Sequence, residues 1–258
     1  MSKAQLPLPN PDKEILEKTA PFKPRSEDNK YTIHEACREG KFNIVESLLS
    51  ANPRLANLAD PDERYPIHWA VSFNHPAIVD LLLQQRGFDP DVRDGMGWTP
   101  LMCACSVRDG EGLVEKLIGR GADVGAKNDA GQTALHFCAS KSHLHSARYL
   151  LQYGATSRVK DSRMQQLPLH RAAAVGSAPM IRLFLEDKSP VNATDREGWT
   201  ALHHAIAEGH GDAALELLKA GADVNKKTND GELALQLAPD KKVVDWIRRA
   251  AADEGITI

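Results

Sequence analysis

The sequence is short of long apolar runs, of excess positive charge and of cysteine. No stretch approaches the roughly 18 consecutive apolar residues that span a bilayer, and the first twenty residues lack the apolar centre of a signal peptide. The 32 basic residues are balanced by 35 acidic ones, which leaves no positive excess to neutralise a phosphate backbone. We therefore expect neither a membrane nor a nucleic-acid partner, and we expect the protein in the cytoplasm and nucleus.

The cysteines and histidines do not form the patterns of a metal site or a catalytic centre. There is no CxxC pair, and the close histidine pairs lack the i, i+4 spacing of two ligands on one helix. The motifs GxSxG, HExxH and GxxxxGKS/T, which supply a nucleophile, a zinc centre and a phosphate cradle, are also absent. We expect no metal, no cofactor, no enzyme activity and four reduced thiols. These are Cys37, Cys103, Cys105 and Cys138.

One segment recurs along most of the chain. Its copies begin near residues 31, 65, 99, 133, 167, 200 and 233, so successive copies are 33 or 34 residues apart. Most copies carry a variant of Thr-Pro-Leu-His-x-Ala, and an apolar pair follows seventeen or eighteen residues later, as in Leu217-Leu218. The spacing and the pattern resemble the ankyrin repeat, whose unit is a β-turn followed by two helices. Spacings this even leave no room for a catalytic insertion.

The repeat predicts the fold class and the domain organisation. We expect an all-α fold, an ankyrin-repeat solenoid of seven helix-turn-helix units with β-hairpin tips, over residues 31–258. Gly40, Gly176 and Gly209 follow their starts by nine residues, where the first helix of a unit should end in a left-handed turn. Residues 1–30 hold five of the fifteen prolines and few large apolar residues, which predicts a disordered amino-terminal tail.

Five of the ten histidines occupy the same position of the repeat, three residues after each start. Such regularity favours a structural role. A buried imidazole there would hydrogen-bond to backbone or threonine groups and tie neighbouring turns together. We therefore interpret these side chains as parts of the stack rather than as ligands. They are His34, His68, His136, His170 and His203.

The repeat register also predicts a binding surface. Residues four and eight positions after each start lie one helical turn apart on one face, and the residue before each start and the turn tips border the same groove. Exposed tryptophan, phenylalanine, methionine and arginine on that face are typical of protein interfaces. For Trp69, Phe73, Trp98 and Trp199 an alternative is that they only fill space between units. The candidates are Glu35, Glu39, Asp62, Arg64, Trp69, Phe73, Met96, Trp98, Phe137, Lys141, Arg171, Trp199 and Glu208.

The charges along this groove are segregated. Acidic candidates, with Asp60 beside Asp62, lie toward the first unit, whereas Lys141, Arg163 and Arg171 lie in the middle units. A partner with a basic patch followed by an acidic patch would therefore bind in one orientation. We expect the Lys141 and Trp98 side chains to point away from the stack, so that replacing them would change binding and not folding.

Several local runs resemble the gankyrin family, the assembly chaperones of the proteasome regulatory particle, over about residues 31 to 250. The runs are Arg64-Tyr-Pro-Ile-His-Trp69, Gly97-Trp-Thr-Pro-Leu101, Ala139-Ser-Lys141 and Leu169-His-Arg-Ala-Ala-Ala174. The run Glu208-Gly-His-Gly-Asp-Ala-Ala214 and Val71-Ser72 before Phe73 look especially like the fungal member.

The resemblance implies a partner, the carboxy-terminal domain of one ATPase subunit of the proteasome base, which the family grips along its concave face. Asp62 and Arg64, the two tryptophans Trp69 and Trp98, and Lys141 match contacts of the family. In the animal protein an LxCxE-type motif binds a retinoblastoma-class partner. The matching stretch from His204 to Glu208 lacks the leucine and the cysteine, so that partner should be lost.

Two functions outside this family stay open. The fold of an ankyrin array does not determine its partner. The chain could therefore be an ankyrin adaptor or inhibitor of another protein, such as a transcription factor or a kinase. An enzyme is the third alternative, disfavoured by the missing motifs. We expect a monomer in each case.

Overall fold

The computed structural model describes residues 32–258. The tail that the sequence predicts for residues 1–30, and Tyr31 at the first repeat start, lie outside the described residues. Over the described range, six pairs of α-helices follow one another. They are α1 (Thr32–Arg38) with α2 (Phe42–Ala51), α3 (Pro66–Ser72) with α4 (Pro76–Leu83), α5 (Pro100–Ser106) with α6 (Glu111–Gly119), α7 (Ala134–Lys141) with α8 (Leu144–Gln152), α9 (Pro168–Ala174) with α10 (Ala178–Glu186), and α11 (Ala201–Ala207) with α12 (Gly211–Lys219).

The carboxy-terminal segment departs from the predicted two-helix unit. A 3-10 turn (Ala234–Leu237) stands where a first helix was expected, and a longer helix, α13 (Lys241–Asp253), follows it. Proline disfavours helical backbone in the residue before it, and Ala238, which precedes Pro239, is extended with a ψ of 138°. The proline therefore ends the turn before a full helix can form.

The first helix of each pair has defined ends. At α5 the Thr99 hydroxyl accepts a hydrogen bond from the backbone N–H of Met102, and Pro100 occupies the first turn, where the missing N–H costs nothing. The predicted left-handed turns after the first helices are confirmed at Gly40, Gly176 and Gly209, with φ values of 73°, 71° and 75°. At Gly176 a side chain is also excluded because the imidazole of the next unit lies against it.

The core is a continuous apolar layer between the helix pairs. Each first helix packs on the first helix of the next unit, and each second helix packs on the next second helix. The apolar pair predicted for the second helices is buried in α12, where Leu217 and Leu218 are almost inaccessible, whereas Leu151 and Leu185 are only half-buried. One face of each unit is therefore covered only when its neighbour is present.

Short turns join the units, and we call them fingers. Their residues are 60–64, 94–98, 128–132, 161–166, 195–199 and 228–232. The predicted β-hairpin tips are reduced to these turns, and over residues 32–258 the only β-type pairing is two isolated bridges, Thr194–Thr200 and Lys227–Leu233. The bond from the Asp94 N–H to the Trp98 carbonyl, at 3.0 Å, closes its finger within five residues. The residues on either side of this finger do not continue the pairing as a β-ladder.

Four of the five histidines at the repeated position connect their unit to the next through Nε2, as the sequence predicts, whereas Nε2 of His203 makes no such bond. The Nδ1 atom of His136 accepts the N–H of Thr133 at 3.1 Å, so the proton is on Nε2, which lies 3.1 Å from the Gln166 carbonyl of the next finger. His170 makes the same two contacts, with Leu167 and Ala193. His136 thus caps its own helix and holds the next finger, and His170 caps its helix and holds the segment just before the next finger.

Protonation of these imidazoles would break this arrangement. A second ring proton at Nδ1 would face an N–H donor, and burial already disfavours the charged ring. Burial lowers the pKa of His136 from 6.5 to about 4, and burial together with the nearby His204 lowers the pKa of His170 to about 4.

We expect the free energy of unfolding to fall between pH 6.5 and about 4. In this range the unfolded chain binds protons that the folded chain refuses, so stability is complete above pH 6.5 and is lost as the pH falls. Urea midpoints at pH 7 and 4.5 measure the loss. In His136→Gln the fall should be smaller by about 2 kcal/mol, because a glutamine amide supplies both bonds without titrating. Gln236 already accepts the Leu233 N–H in this way, at 2.7 Å. An equal fall in parent and variant would contradict the assignment.

We expect Leu217→Ala to lower the free energy of unfolding by about 2 to 5 kcal/mol, because it leaves a cavity between stacked units. Leu215→Ala, in the same helix at a half-buried position, is the control and should cost clearly less. A loss below about 1 kcal/mol for Leu217→Ala, measured by urea denaturation, would contradict the repeat register.

Candidate protein-binding surface

The fingers and the first helices share one face of the stack, which we call the groove face. Side-chain contacts join each of two fingers to the first helix that follows it. In both, the helix residue involved is four positions after the start of its repeat. The Trp69 indole N–H donates to Asp60 at 2.8 Å, and Arg171 contacts Asp161 at 2.9 Å. The predicted register of this face is therefore the one that the structure shows.

Aspartates at the fingers carry out two tasks with one carboxylate. In Asp195 one oxygen, Oδ1, accepts the backbone N–H groups of Glu197 and Trp199, which folds the finger. The other oxygen, Oδ2, lies 2.9 Å from Nε2 of His204 and holds that ring on the groove face. The fingers at 60–64 and 161–166 repeat this division with other partners.

These contacts also favour the ionised form of two finger carboxylates, Asp161 and Asp195. Burial alone would raise the pKa of Asp195, but the hydrogen bonds from His204, Gln166 and the Trp199 N–H lower it to about 2. For Asp161 burial is again opposed, here by the Arg171 guanidinium and the Met164 N–H, and the pKa is lowered. Asp161 and Asp195 therefore stay ionised at neutral pH.

This role of the finger aspartates was not predicted from the sequence. Their signal was present, because an Asp, Asn or Thr stands five residues before most repeat starts. Side chains of this type accept hydrogen bonds from backbone N–H groups two residues on, and they close turns in this way. The residues are Asp60, Asp94, Asn128, Asp195 and Thr228, with Asp161 six residues before its start.

The first end of the groove face combines exposed acids with a fixed aromatic pair. Arg64 lies 4.2 Å from the centre of the Trp69 ring and donates to the Ser72 hydroxyl at 2.8 Å. Phe73 stacks on Trp69, with ring centres 6.2 Å apart, and remains 51% exposed. Trp69 is therefore partly a packing residue, whereas Phe73 is open to a partner.

The acidic candidates of this end are all on the surface. Glu35 and Asp62 are exposed, and so is Glu39, which forms an ion pair with Lys41 that lowers the pKa of the glutamate. At the other end of the groove face Glu208 is exposed as well. These four carboxylates can contact a partner without breaking a contact inside the stack.

The expectation that Trp98 points away from the stack is wrong. Its ring centre lies 4.2 Å from that of Phe137, which is itself only 9% exposed, and Trp98 packs against the core. An aromatic side chain between two units gains more from this packing than from solvent. Met96, two residues earlier, is the exposed apolar group here, at 69%.

Arg171 is not a free basic group, contrary to the charge pattern that the sequence predicts. Its guanidinium pairs at 2.9 Å with Asp161, whose side chain is inaccessible to solvent. The positive charge of Arg171 is therefore neutralised within the stack. Lys141 is exposed and makes no ion pair with any described residue. Trp199 is half-buried and lies against His203 and His204, with ring centres 6.2 and 5.1 Å away.

The cysteines are buried, and the described residues contain no metal ligand set. All four cysteines are reduced and buried, and burial raises the pKa of Cys37 to about 12 and that of Cys103 to about 11. At Cys37 and Cys103 the thiolate, which is the reactive form, is therefore disfavoured. Residues 32–258 contain no group of three or more potential metal ligands, and no helix among them is long and apolar enough to cross a bilayer.

Comparison with known families identifies the class of protein. The profile of the ankyrin repeats matches residues 33–111, 106–195 and 157–228. Among solved structures, the ankyrin repeat domain of human ASB11 superposes with a TM-score of 0.75 at 22% identity, covering 88% of this chain and 98% of that one. The ankyrin repeat domain of Bcl-3 gives 0.69 at 28% identity, covering 86% and 100%. The chain is an ankyrin-repeat protein.

Curated relatives narrow the family. A probable 26S proteasome regulatory subunit p28 of Saccharomyces cerevisiae is 41% identical over 220 residues, which is 83% of this chain and 95% of the relative. An ankyrin repeat-containing protein of Schizosaccharomyces pombe is 36% identical, over 88% and 96%. The chain belongs to the gankyrin family, as the sequence runs predicted. No family of enzymes is indicated by these similarities.

We expect Arg171→Ala to destabilise the fold and Lys141→Ala to leave it unchanged. Removal of Arg171 leaves the buried Asp161 carboxylate without its ion-pair partner, which should lower the free energy of unfolding by about 2 to 3 kcal/mol. This loss is smaller than for a fully buried ion pair because Arg171 is partly exposed. Lys141→Ala should stay within about 0.5 kcal/mol of the parent. Urea denaturation at pH 7 compares the two, and equal stabilities would show that the pair contributes nothing.

Proposed function

We propose that this protein is a non-catalytic chaperone that binds the carboxy-terminal domain of a proteasome base ATPase subunit and assists assembly of the 26S regulatory particle. The observation that carries the proposal is the 41% identity, over most of both chains, to a yeast protein described as a proteasome regulatory subunit. The groove face supplies the binding surface. The proposal takes the 3-10 turn and α13 as a seventh, capping unit and the protein as a cytoplasmic and nuclear monomer.

The groove face has the composition of a protein interface. Exposed apolar groups, Phe73 and Met96, stand beside side chains that hydrogen bonds and stacking hold in place. A preorganised surface loses little entropy on association, so more of its contact energy appears as affinity. Half-buried Trp69, Trp98 and Trp199, with Phe137, support this surface from beneath.

The exposed charges define how the partner would be oriented. Glu35, Asp62 and Glu39, the last paired with Lys41, present carboxylates at the first end, and Lys141 presents an ammonium group in the middle. Arg64 and Arg171 hold neighbouring groups in position instead of offering a free charge. The ATPase domain would meet the acidic end with a basic patch and Lys141 with an acidic patch.

A pull-down from a fungal lysate tests the proposal against its alternative, an adaptor or inhibitor of a transcription factor or kinase. Recovery of one base ATPase subunit at near-stoichiometric level, from free base intermediates, is the expected result. Recovery of another regulatory protein with ATPases only at background would favour the alternative. A purified carboxy-terminal ATPase domain that fails to bind in calorimetry would overturn the proposal.

We expect Lys141→Glu to weaken the complex with that ATPase domain by about 1 to 3 kcal/mol, because it replaces an attraction by a like-charge contact in a partly desolvated interface. Arg148→Glu, an equal change of charge at an exposed position of α8 in the same unit, is the matched control and should change affinity little. Calorimetry at two salt concentrations measures both. Reversal of the acidic patch on the ATPase should restore affinity to Lys141→Glu, and no restoration would count against this orientation.

A further inference from the structure

The fingers are joined to one another by backbone hydrogen bonds. The Asp129 N–H donates to the Met96 carbonyl at 3.2 Å, and the Ser162 N–H donates to Ala130 at 2.8 Å. In finger 128–132 the residue that donates backward and the residue that accepts from the next finger are therefore adjacent. Fingers 94–98 and 195–199 follow the same rule. This ladder holds the fingers side by side.

Finger 161–166 is one residue longer than the others. It closes with a bond from the Asp161 N–H to the Gln166 carbonyl, five residues on, whereas finger 94–98 closes over four. Gln165 absorbs the extra length in left-handed backbone with a φ of 56°. Ser162 donates backward and Met164 accepts from Arg196, so one residue is left between them. That residue is Arg163.

Arg163 is thus placed outside the ladder at an exposed turn tip, with no ion pair or side-chain hydrogen bond among the described residues. A second guanidinium approaches from the next finger. Arg196 donates through Nη2 to the Ser162 carbonyl at 3.1 Å, which fixes it against finger 161–166. Its remaining donors are not used by any described residue.

Both guanidinium groups border one cavity of about 580 Å³. On its other side stand the exposed Met96 and the half-buried Trp98, so the cavity has an apolar wall and a basic wall. Asn128 and Gln132 between them are neutral and bonded to each other at 3.1 Å. The one carboxylate of the lining, Asp129, has its Oδ1 against Gly97, where there is no room for a side chain.

We propose that this cavity binds an acidic segment of the partner, with a Glu or Asp carboxylate between Arg163 and Arg196 and an adjacent apolar side chain on Met96 and Trp98. Two guanidinium groups against one carboxylate of the lining leave a net positive charge, and arginine forms paired hydrogen bonds with carboxylates. This deepens the proposed function and rests on it for the identity of the partner. The sequence predicted that Arg171 would bind an acidic patch of the partner, but Arg171 is neutralised by Asp161. In this proposal Arg163 and Arg196 at the finger tips bind that acidic group instead.

Methyl NMR of the full chain labelled at methionine tests the cavity directly. Met96 lies in its wall, whereas Met102 and Met180 are buried and serve as internal controls. The probes are N-acetyl-Leu-Glu-Glu-amide and N-acetyl-Leu-Lys-Lys-amide. The acidic peptide should shift the Met96 methyl signal saturably and leave both controls in place, and the basic peptide should not. An unchanged Met96 signal, or an equal response to both peptides, would overturn the inference.

Substitutions of arginine test whether peptide binding depends on the basic side of the cavity. Arg163→Gln should weaken the acidic peptide by about fivefold or more, through loss of one charged contact, and should fold as the parent because Arg163 takes no part in the ladder. Arg158→Gln, at an exposed position outside the cavity lining, is the matched control and should bind as the parent. Equal binding by Arg163→Gln and the parent would overturn the assignment.

The ATPase domain separates this inference from the proposed function. If the parent binds the domain and Arg163→Gln binds it equally well, the cavity inference fails and the proposed function stands. If the parent does not bind the domain but Met96 responds to the acidic peptide, the proposed function fails and the acidic specificity of the cavity stands. Loss of affinity for both the domain and the peptide in Arg163→Gln supports the two together.

Discussion

The geometry of the groove face depends on a buried imidazole between consecutive units. In the units that begin at residues 65, 133 and 167, its Nδ1 accepts the N–H that precedes its own helix and its Nε2 contacts a carbonyl in or just before the next finger, as His136 does between Thr133 and Gln166. Two bonds of opposite polarity fix both the tautomer and the ring orientation. In these units a shift of the finger would disturb the ring that caps the helix, so finger and helix are coupled through a buried contact.

The finger aspartates convert this rigid frame into a particular surface. One carboxylate oxygen accepts backbone N–H groups and closes the turn. The other binds a side chain of the groove face and holds it in place. Arg171 is held by Asp161 and His204 by Asp195, whereas Lys141 and Met96 are left open. A charge on the groove face is thus available to a partner only where no finger carboxylate reaches it.

Binding specificity in such an array can arise from a change of one residue in a finger. The longer finger 161–166 keeps its two ladder bonds and gains Arg163 between them. Because the ladder is preserved, the insertion alters the surface without disturbing the stack beneath it. Repeat proteins tolerate such changes since each unit contacts only its neighbours.

The sequence by itself determined the repeat period, the two-helix unit, the left-handed turn at Gly176 and the structural role of the histidines, because these features are local and recur in several repeats. It also determined the family. Only the tertiary structure decided that Arg171 is neutralised, that Trp98 packs on Phe137, and that Arg163 and Met96 border one cavity. Each of these depends on which side chains from different units meet across the stack, and a periodic pattern assigns a residue to a face without specifying its partner there.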